Sequence, residues 1–225
     1  PLDSDIDDDA VAQALIAPAQ LAQVQALVQK RIRSRVPAAY LTGEAWLQGV
    51  PFHVDERCIV PRSLIGELLA TGALDYWLPE GATRLLDLCT GGASLAVLAA
   101  LAYPELQIDA VDISTDALAV ARMNVDRHGL QQRICLLQGD GLAASHGPYD
   151  MILCNPPYVN SASMAQLPPE YRAEPSLALA GGNDGMDFVR SLLQDARAVM
   201  SEAAVLVLEI GHERPNFETA FATLD

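Results

Sequence analysis

Five short apolar runs, at 84–89, 107–112, 133–138, 150–154 and 204–210, alternate with stretches of helical periodicity, which restricts the chain to a layered α/β fold. The segments 95–102, 115–128 and 186–200 carry the long apolar faces that cover a parallel sheet from both sides. Right-handed crossovers between such units produce a doubly wound sheet, with its ligand crevice at the carboxyl ends of the strands. The residues able to do chemistry cluster at those ends.

Upstream, the first nine residues contain Asp3, Asp5, Asp7, Asp8 and Asp9, and apolar residues then recur at helical spacing through Val11, Leu15, Leu21, Val24, Leu27, Val28 and Ile32. Residues 1–36 are expected to form a small helical domain. The basic run Lys30, Arg31, Arg33 and Arg35 reads as a charged helix C-terminus more economically than as an RNA contact. From 37 to 61 aromatic and β-branched residues surround Gly43 and Gly49-Val50-Pro51, predicting a hairpin linker packed through Trp46, Phe52 and Val54. A helix over 64–78 follows, with Ser63 as its N-cap. Residues 62–225 then form the main domain.

With 14 Lys and Arg against 29 Asp and Glu, the formal charge of −15 repels a phosphate backbone, so direct DNA binding is not expected. Such a surface suits a basic protein partner. Cys58, Cys89, Cys135 and Cys154 have neither paired nor metal-ligand spacing and read as reduced thiols of a cytoplasmic protein; no metal site is expected. The apolar stretch at 94–103 is too short to span a bilayer, and no membrane anchor is expected. Pro1 stands where an initiator Met is usual, as expected of a segment of a longer chain.

The first strand runs through Asp87 into Cys89-Thr90-Gly91-Gly92-Ala93 and then a helix, a small-residue loop that lets a ligand approach backbone N–H groups. A dinucleotide fingerprint requires G-x-G-x-x-G, which Gly91-Gly92-Ala93-Ser94 does not supply; S-adenosyl-L-methionine is the better match, with a plain strand-to-helix turn as the alternative. Asp112, at the second strand's end, can accept from both ribose hydroxyls or cap the chain beside Ser114. Asp140 and Gly141, after the third strand, can read an adenine edge.

Asn155-Pro156-Pro157-Tyr158 follows the fourth strand. The Asn155 side-chain oxygen and the Pro156 carbonyl are acceptors for the two hydrogens of a planar NH2 group, and the Tyr158 ring can pack on its flat face. Pro156 and Pro157 stiffen the loop and reduce its ordering cost. Methyl transfer to a planar nitrogen is the expected chemistry, against a Pro-rich exit that only turns the chain. The loop after the first strand, Asp112, Asp140 and Asn155 fall at four successive strand ends, a combination more specific for a methyl-donor site than any one of them, so Asn155 is expected to contact the cofactor as well.

These motifs resemble the HemK/PrmB-type protein-glutamine N-methyltransferases over nearly the whole chain. The segments 37–46 and 60–68 are closer to the branch acting on ribosomal protein, and 169–175 and 180–185 match a region that helps enclose substrate in that family. The resemblance implies a class I S-adenosylmethionine-dependent methyltransferase, Rossmann-like, acting on the side-chain amide of a glutamine in large-subunit ribosomal protein L-three. A release-factor glutamine methyltransferase, an adenine methyltransferase and a catalytically idle cofactor-binding module are the alternatives. Ala93 stands where the family commonly has Gly, so its methyl either crowds the cofactor or is tolerated. The family sheet usually has two further strands, and a sheet lacking them is expected here.

Overall fold

The computed structural model describes residues 17–223; the acidic start and the periodic positions Val11 and Leu15 lie outside them. In chain order the elements are α1 (Pro18–Ser34), α2 (Ala38–Thr42), β1 (Glu44–Leu47), β2 (Val50–His53), α3 (Leu64–Ala70), β3 (Arg84–Leu88), α4 (Ser94–Ala102) and β4 (Gln107–Asp112). They continue with α5 (Thr115–Arg127), β5 (Ile134–Gln138), β6 (Tyr149–Cys154), α6 (Ser161–Ala165), α7 (Pro169–Arg172), α8 (Asp187–Asp195), β7 (Met200–Leu208) and α9 (Arg214–Ala220).

Strands β5-β4-β3-β6-β7 form one sheet, and every neighbouring pair in it is parallel. The order reverses between β3 and β6, so the crevice opens there. Register makes the strand tips level: Leu88 pairs with Val111 on one side and Cys154 on the other, and Asp112 pairs with Gln138. Successive side chains alternate between faces. Leu85 and Leu153 join α4 residues in one core cluster, while Leu86, Leu88 and Ile152 join Leu192 and Ala196 in another. Each such fully buried aliphatic side chain contributes roughly 1.5–3 kcal/mol. The sheet is therefore a rigid platform.

Several elements differ from the sequence expectation. Helix α3 stops at Ala70, and turns at residues 71–77 replace its expected continuation, with Gly72 at φ +70°. Ser63 does cap it, accepting from the Ile65 amide at 3.1 Å. The helix expected over 186–200 ends at Asp195 and tightens into a 3-10 turn, Ala196–Val199. Strand β7 begins at Met200 and ends at Leu208, earlier at both ends than expected.

The hairpin turns through Gln48 and Gly49, both left-handed, as a two-residue connection requires. Phe52 and Val54 are buried, but Trp46 is 59% exposed on the outer face and does not pack as expected. Its indole N–H donates to Glu44 at 3.1 Å. Period-2 alternation explains this, since Ala45, Val50 and Phe52 take the inner face. Asn124 of α5, fully buried, fastens the hairpin: its Oδ1 accepts from the His53 amide at 2.7 Å, and its Nδ2 donates to the His53 and Gly92 carbonyls. In α1 the stripe Leu21, Val24, Leu27, Val28 and Ile32 is exposed.

Candidate active site

Past Asp87 the chain reverses over a few residues in which Cys89, Gly91 and Ala93 are left-handed, with φ of 61°, 55° and 62°. A left-handed L-residue costs roughly 1–2 kcal/mol. Hydrogen bonds hold the turn against that cost: Thr90 N–H donates to the Val111 carbonyl at 3.0 Å, Gly91 N–H to Asp112 Oδ2 at 2.8 Å, and Ala93 N–H to the Thr90 carbonyl at 2.9 Å. Asp87 gathers the loop from beneath. Its Oδ2 accepts from Thr90 Oγ1 at 2.5 Å and from the Ala96 amide at 2.9 Å, whereas its buried Oδ1 has no partner. Burial pushes this carboxyl up to about 7, against the downward pull of the two hydrogen bonds.

Asp112 Oδ1 accepts from the Ser114 amide at 2.9 Å, so the carboxylate spans the loops after β3 and β4. Burial raises its pKa. Each oxygen keeps a second lone pair, so capping and ligand binding are compatible.

Asp87, Cys89, Thr90, Gly91, Asp112, Asp140, Gly141 and Asn155 line a cavity of about 180 Å³. Gly92 and Ala93 are not on that wall. Gly92 faces Asn124 and Cys58, and the Ala93 methyl sits in the core cluster beneath the loop. The methyl therefore replaces hydrogen on the side of the loop away from the cavity. Phe188 of α8 also lines the cavity beside Gly141, offering a flat apolar face near Asp140. Periodicity marked Phe188 only as part of a helix face; its place in the site depends on how α8 packs.

A second cavity, about 310 Å³, is lined by Pro156, Tyr158, Val159, Leu167, Tyr171 and His212. Asn155, Ile59, Arg62 and Ala178 belong to both walls. Pro157 faces the first cavity, so the four residues of the motif divide between the two. Burial, then the negative charge of Glu209, raises the Tyr158 phenol. The ring is closely backed: a Cβ on Gly211 would stand 2.5 Å from Tyr158 Cε2.

Asn155 Nδ2 donates to the Arg62 main-chain carbonyl at 3.3 Å, which fixes the amide's orientation. Among the described residues neither Asn155 Oδ1 nor the Pro156 carbonyl accepts a protein hydrogen bond. Two acceptors thus remain for a ligand where the cavities meet. Among the described residues no cluster of His, Cys, Asp and Glu is placed to hold a metal ion, and no helix is long and apolar enough to cross a membrane.

The Methyltransferase small domain family matches residues 69–167. A ribosomal protein uL3 glutamine methyltransferase of Bordetella pertussis is 56% identical over 219 residues, covering 96% of this chain and 73% of the relative. The chain belongs to the uL3 glutamine methyltransferase family. A second relative with the same designation, from Burkholderia pseudomallei, is 52% identical and covers 94% of this chain and 72% of its own. Among solved structures, a methyltransferase from Pyrococcus furiosus superposes with a TM-score of 0.56 at 17% identity, covering 88% of this chain and 83% of that one. The parallel sheet with its reversal between β3 and β6 is the Rossmann-like class I methyltransferase fold, and the protein is a methyltransferase.

Proposed function

We propose that this chain transfers a methyl group from S-adenosyl-L-methionine to the side-chain amide nitrogen of a glutamine in ribosomal protein uL3. The observation that carries the reading is Asn155, which stands on the wall shared by both cavities with its N–H2 pinned and its Oδ1 available. Its relatives' designation supports the same target. A ribosomal substrate puts the reaction in the cytoplasm.

The first cavity has the donor set this cosubstrate needs. Asp112 retains lone pairs for a ribose diol, Asp140 and Gly141 stand beside the apolar face of Phe188 for an adenine, and the orphaned Asp87 Oδ1 is an acceptor for an ammonium group. When bound, S-adenosylmethionine supplies an electrophilic methyl on its sulfonium. The protein's task is then orientation. A carboxamide nitrogen is a poor nucleophile because its lone pair is delocalised, and two fixed acceptors, Asn155 Oδ1 and the Pro156 carbonyl, bind both of its hydrogens and present the nitrogen in one direction. The same acceptors stabilise the positive charge that grows on nitrogen as the new bond forms. Tyr158 covers the flat face, and the proton leaves after transfer, so no side-chain base is needed.

The test is incubation with S-adenosylmethionine and unmethylated uL3, beside an unmethylated release factor, with the added methyl located by tandem mass spectrometry. Glutamine methylation confined to uL3 is expected. Modification of the release factor instead moves the assignment to the sister branch, and S-adenosylmethionine binding with no product on either points to a catalytically idle module.

A further inference from the structure

Residues 169–182 roof both cavities: Tyr171 and Leu179 line the acceptor side, Pro175 and Leu177 the donor side, and Ala178 both. The regular structure within this roof is short, namely α7 and a 3-10 turn, Ser176–Ala178. Pieces of that length have no stability of their own. Main-chain hydrogen bonds hold its C-terminal end, from the Val159 amide to the Leu179 carbonyl at 2.8 Å and from the Gly181 amide to the Val159 carbonyl at 2.9 Å, and side-chain ties hold the stretch before it.

The strongest tie runs to Arg62. Its two terminal nitrogens donate to Glu174 Oε1 and Oε2 at 2.8 and 3.0 Å, a fork-to-fork pair, and its Cζ lies 4.8 Å from the Tyr171 ring centroid. The Glu174 side chain is only 4% exposed, so the pair is largely out of water and removing one partner strands the other. A second tie reaches Glu170 from α1, where Arg31 and Arg35 approach Oε1 at 2.8 and 2.7 Å. The residues after Arg62 are clamped as well: Ser63 Oγ and the Leu64 amide both donate to Glu209 Oε2.

Arg62 also holds the Asn155 amide through its main-chain carbonyl. One residue therefore grips the roof with its side chain and the amide-reading group with its backbone. We infer that Arg62 is a positioning residue for acceptor turnover, with the Arg62–Glu174 pair holding the roof and Asn155 in one fixed relation; this rests on the function proposed above. No side-chain substitution deletes the carbonyl. Arg62 stands on both cavity walls but Glu174 on neither, so an effect of residue 174 on transfer is an effect of position.

The experiment compares Glu174→Gln, Arg62→Lys and the double variant with wild type. Each single variant is expected to lower kcat/KM for the protein acceptor about tenfold to a hundredfold, with kcat itself falling, because small misplacements of reacting groups carry losses of that size. Arg62→Lys keeps the charge but not the planar fork, and it does not rescue. The dissociation constant for S-adenosylhomocysteine stays within about threefold, and the double variant is no worse than the weaker single, as expected of two residues in one pair. On the free enzyme, hydrogen exchange over 169–180 quickens in Glu174→Gln. The inference is overturned by unchanged exchange, by acceptor turnover like wild type, or by an equal loss of S-adenosylhomocysteine binding. If wild type methylates no glutamine at all, the proposed function fails, and the exchange measurement alone decides the tie.

Discussion

The proposed donor cavity is walled mainly by strand tips and the loops after them, with the roof touching it at Pro175, Leu177 and Ala178, whereas the proposed acceptor cavity lies away from the strand tips, under Tyr171 and Leu179. In the first, the ends of β3, β4, β5 and β6 are brought level by sheet register, and the loop after β3 is locked to Asp112 and Val111. In the second, main-chain bonds to Val159 order only the end of the roof, and Arg62, Glu174 and Glu170 tie the stretch before it. On the proposed function, the donor meets a preformed site, while the acceptor side depends more on a few replaceable contacts. The two sides meet at Asn155, where a substitution separates them most sharply.

Asn155→Ala removes an amide acceptor without touching the strand tips. It is expected to lower kcat by about a hundredfold to a thousandfold, the scale seen when one preorganised transition-state hydrogen bond is deleted. Isothermal titration with S-adenosylhomocysteine should show near-wild-type affinity; a matching loss there breaks the division between the cavities. The converse variant, Asp112→Ala, frees the Gly91 and Ser114 amides together. Donor affinity should fall about tenfold to a hundredfold, given roughly 1.5–3 kcal/mol for a hydrogen bond to a charged group, while the acceptor KM at saturating donor holds.

Gly211→Ala perturbs the Tyr158 side by itself. The new methyl meets the Tyr158 ring at 2.5 Å from a left-handed backbone with φ +51°, so the ring must move. Acceptor kcat/KM is expected to drop about tenfold, with donor binding intact. Titration with pH tests the donor side alone. Burial pushes the Asp87 carboxyl up to about 7, so on the proposed function lowering the pH below that removes the charge that would attract the donor's ammonium. Donor affinity should weaken by at most about tenfold per pH unit, and Asp87→Asn should flatten the profile. Stability of the ligand-free protein runs the opposite way. With the folded-state pKa raised, the contribution of Asp87 is complete below the ordinary carboxylate range and lost as pH rises through about 7, which thermal melts between pH 4 and 8 would follow.

Legibility in the sequence divides along the same line. Strand tips, Asp112 and the Asn155 motif are local signals, because a residue at a strand's end announces itself through the apolar run before it. The alternation of the hairpin was equally local, yet it did not say which face was inward, and Trp46 lies outside with Ala45 inside. The length of α3 depended on Gly72 taking a left-handed turn where neighbouring residues favour continuation. Arg31 and Arg35 read as helix-end charges, and only folding shows them meeting Glu170.

Short-range periodicity and local chemistry suffice for the strand-helix alternation, the parallel sheet it implies, and the acidic and amide groups at successive strand ends, so the amino-acid order carries all of these. Tertiary structure alone decided which of those groups face a cavity, that Gly92 and Ala93 do not, and that Phe188, Asn124 and the Arg62–Glu174 pair complete the architecture. Arg62 and Glu174 stand 112 residues apart, and no local pattern encodes which carboxylate a guanidinium will reach. That pairing is fixed by the packing of the sheet, the hairpin exit and the roof around one buried carboxylate, a property of the whole fold.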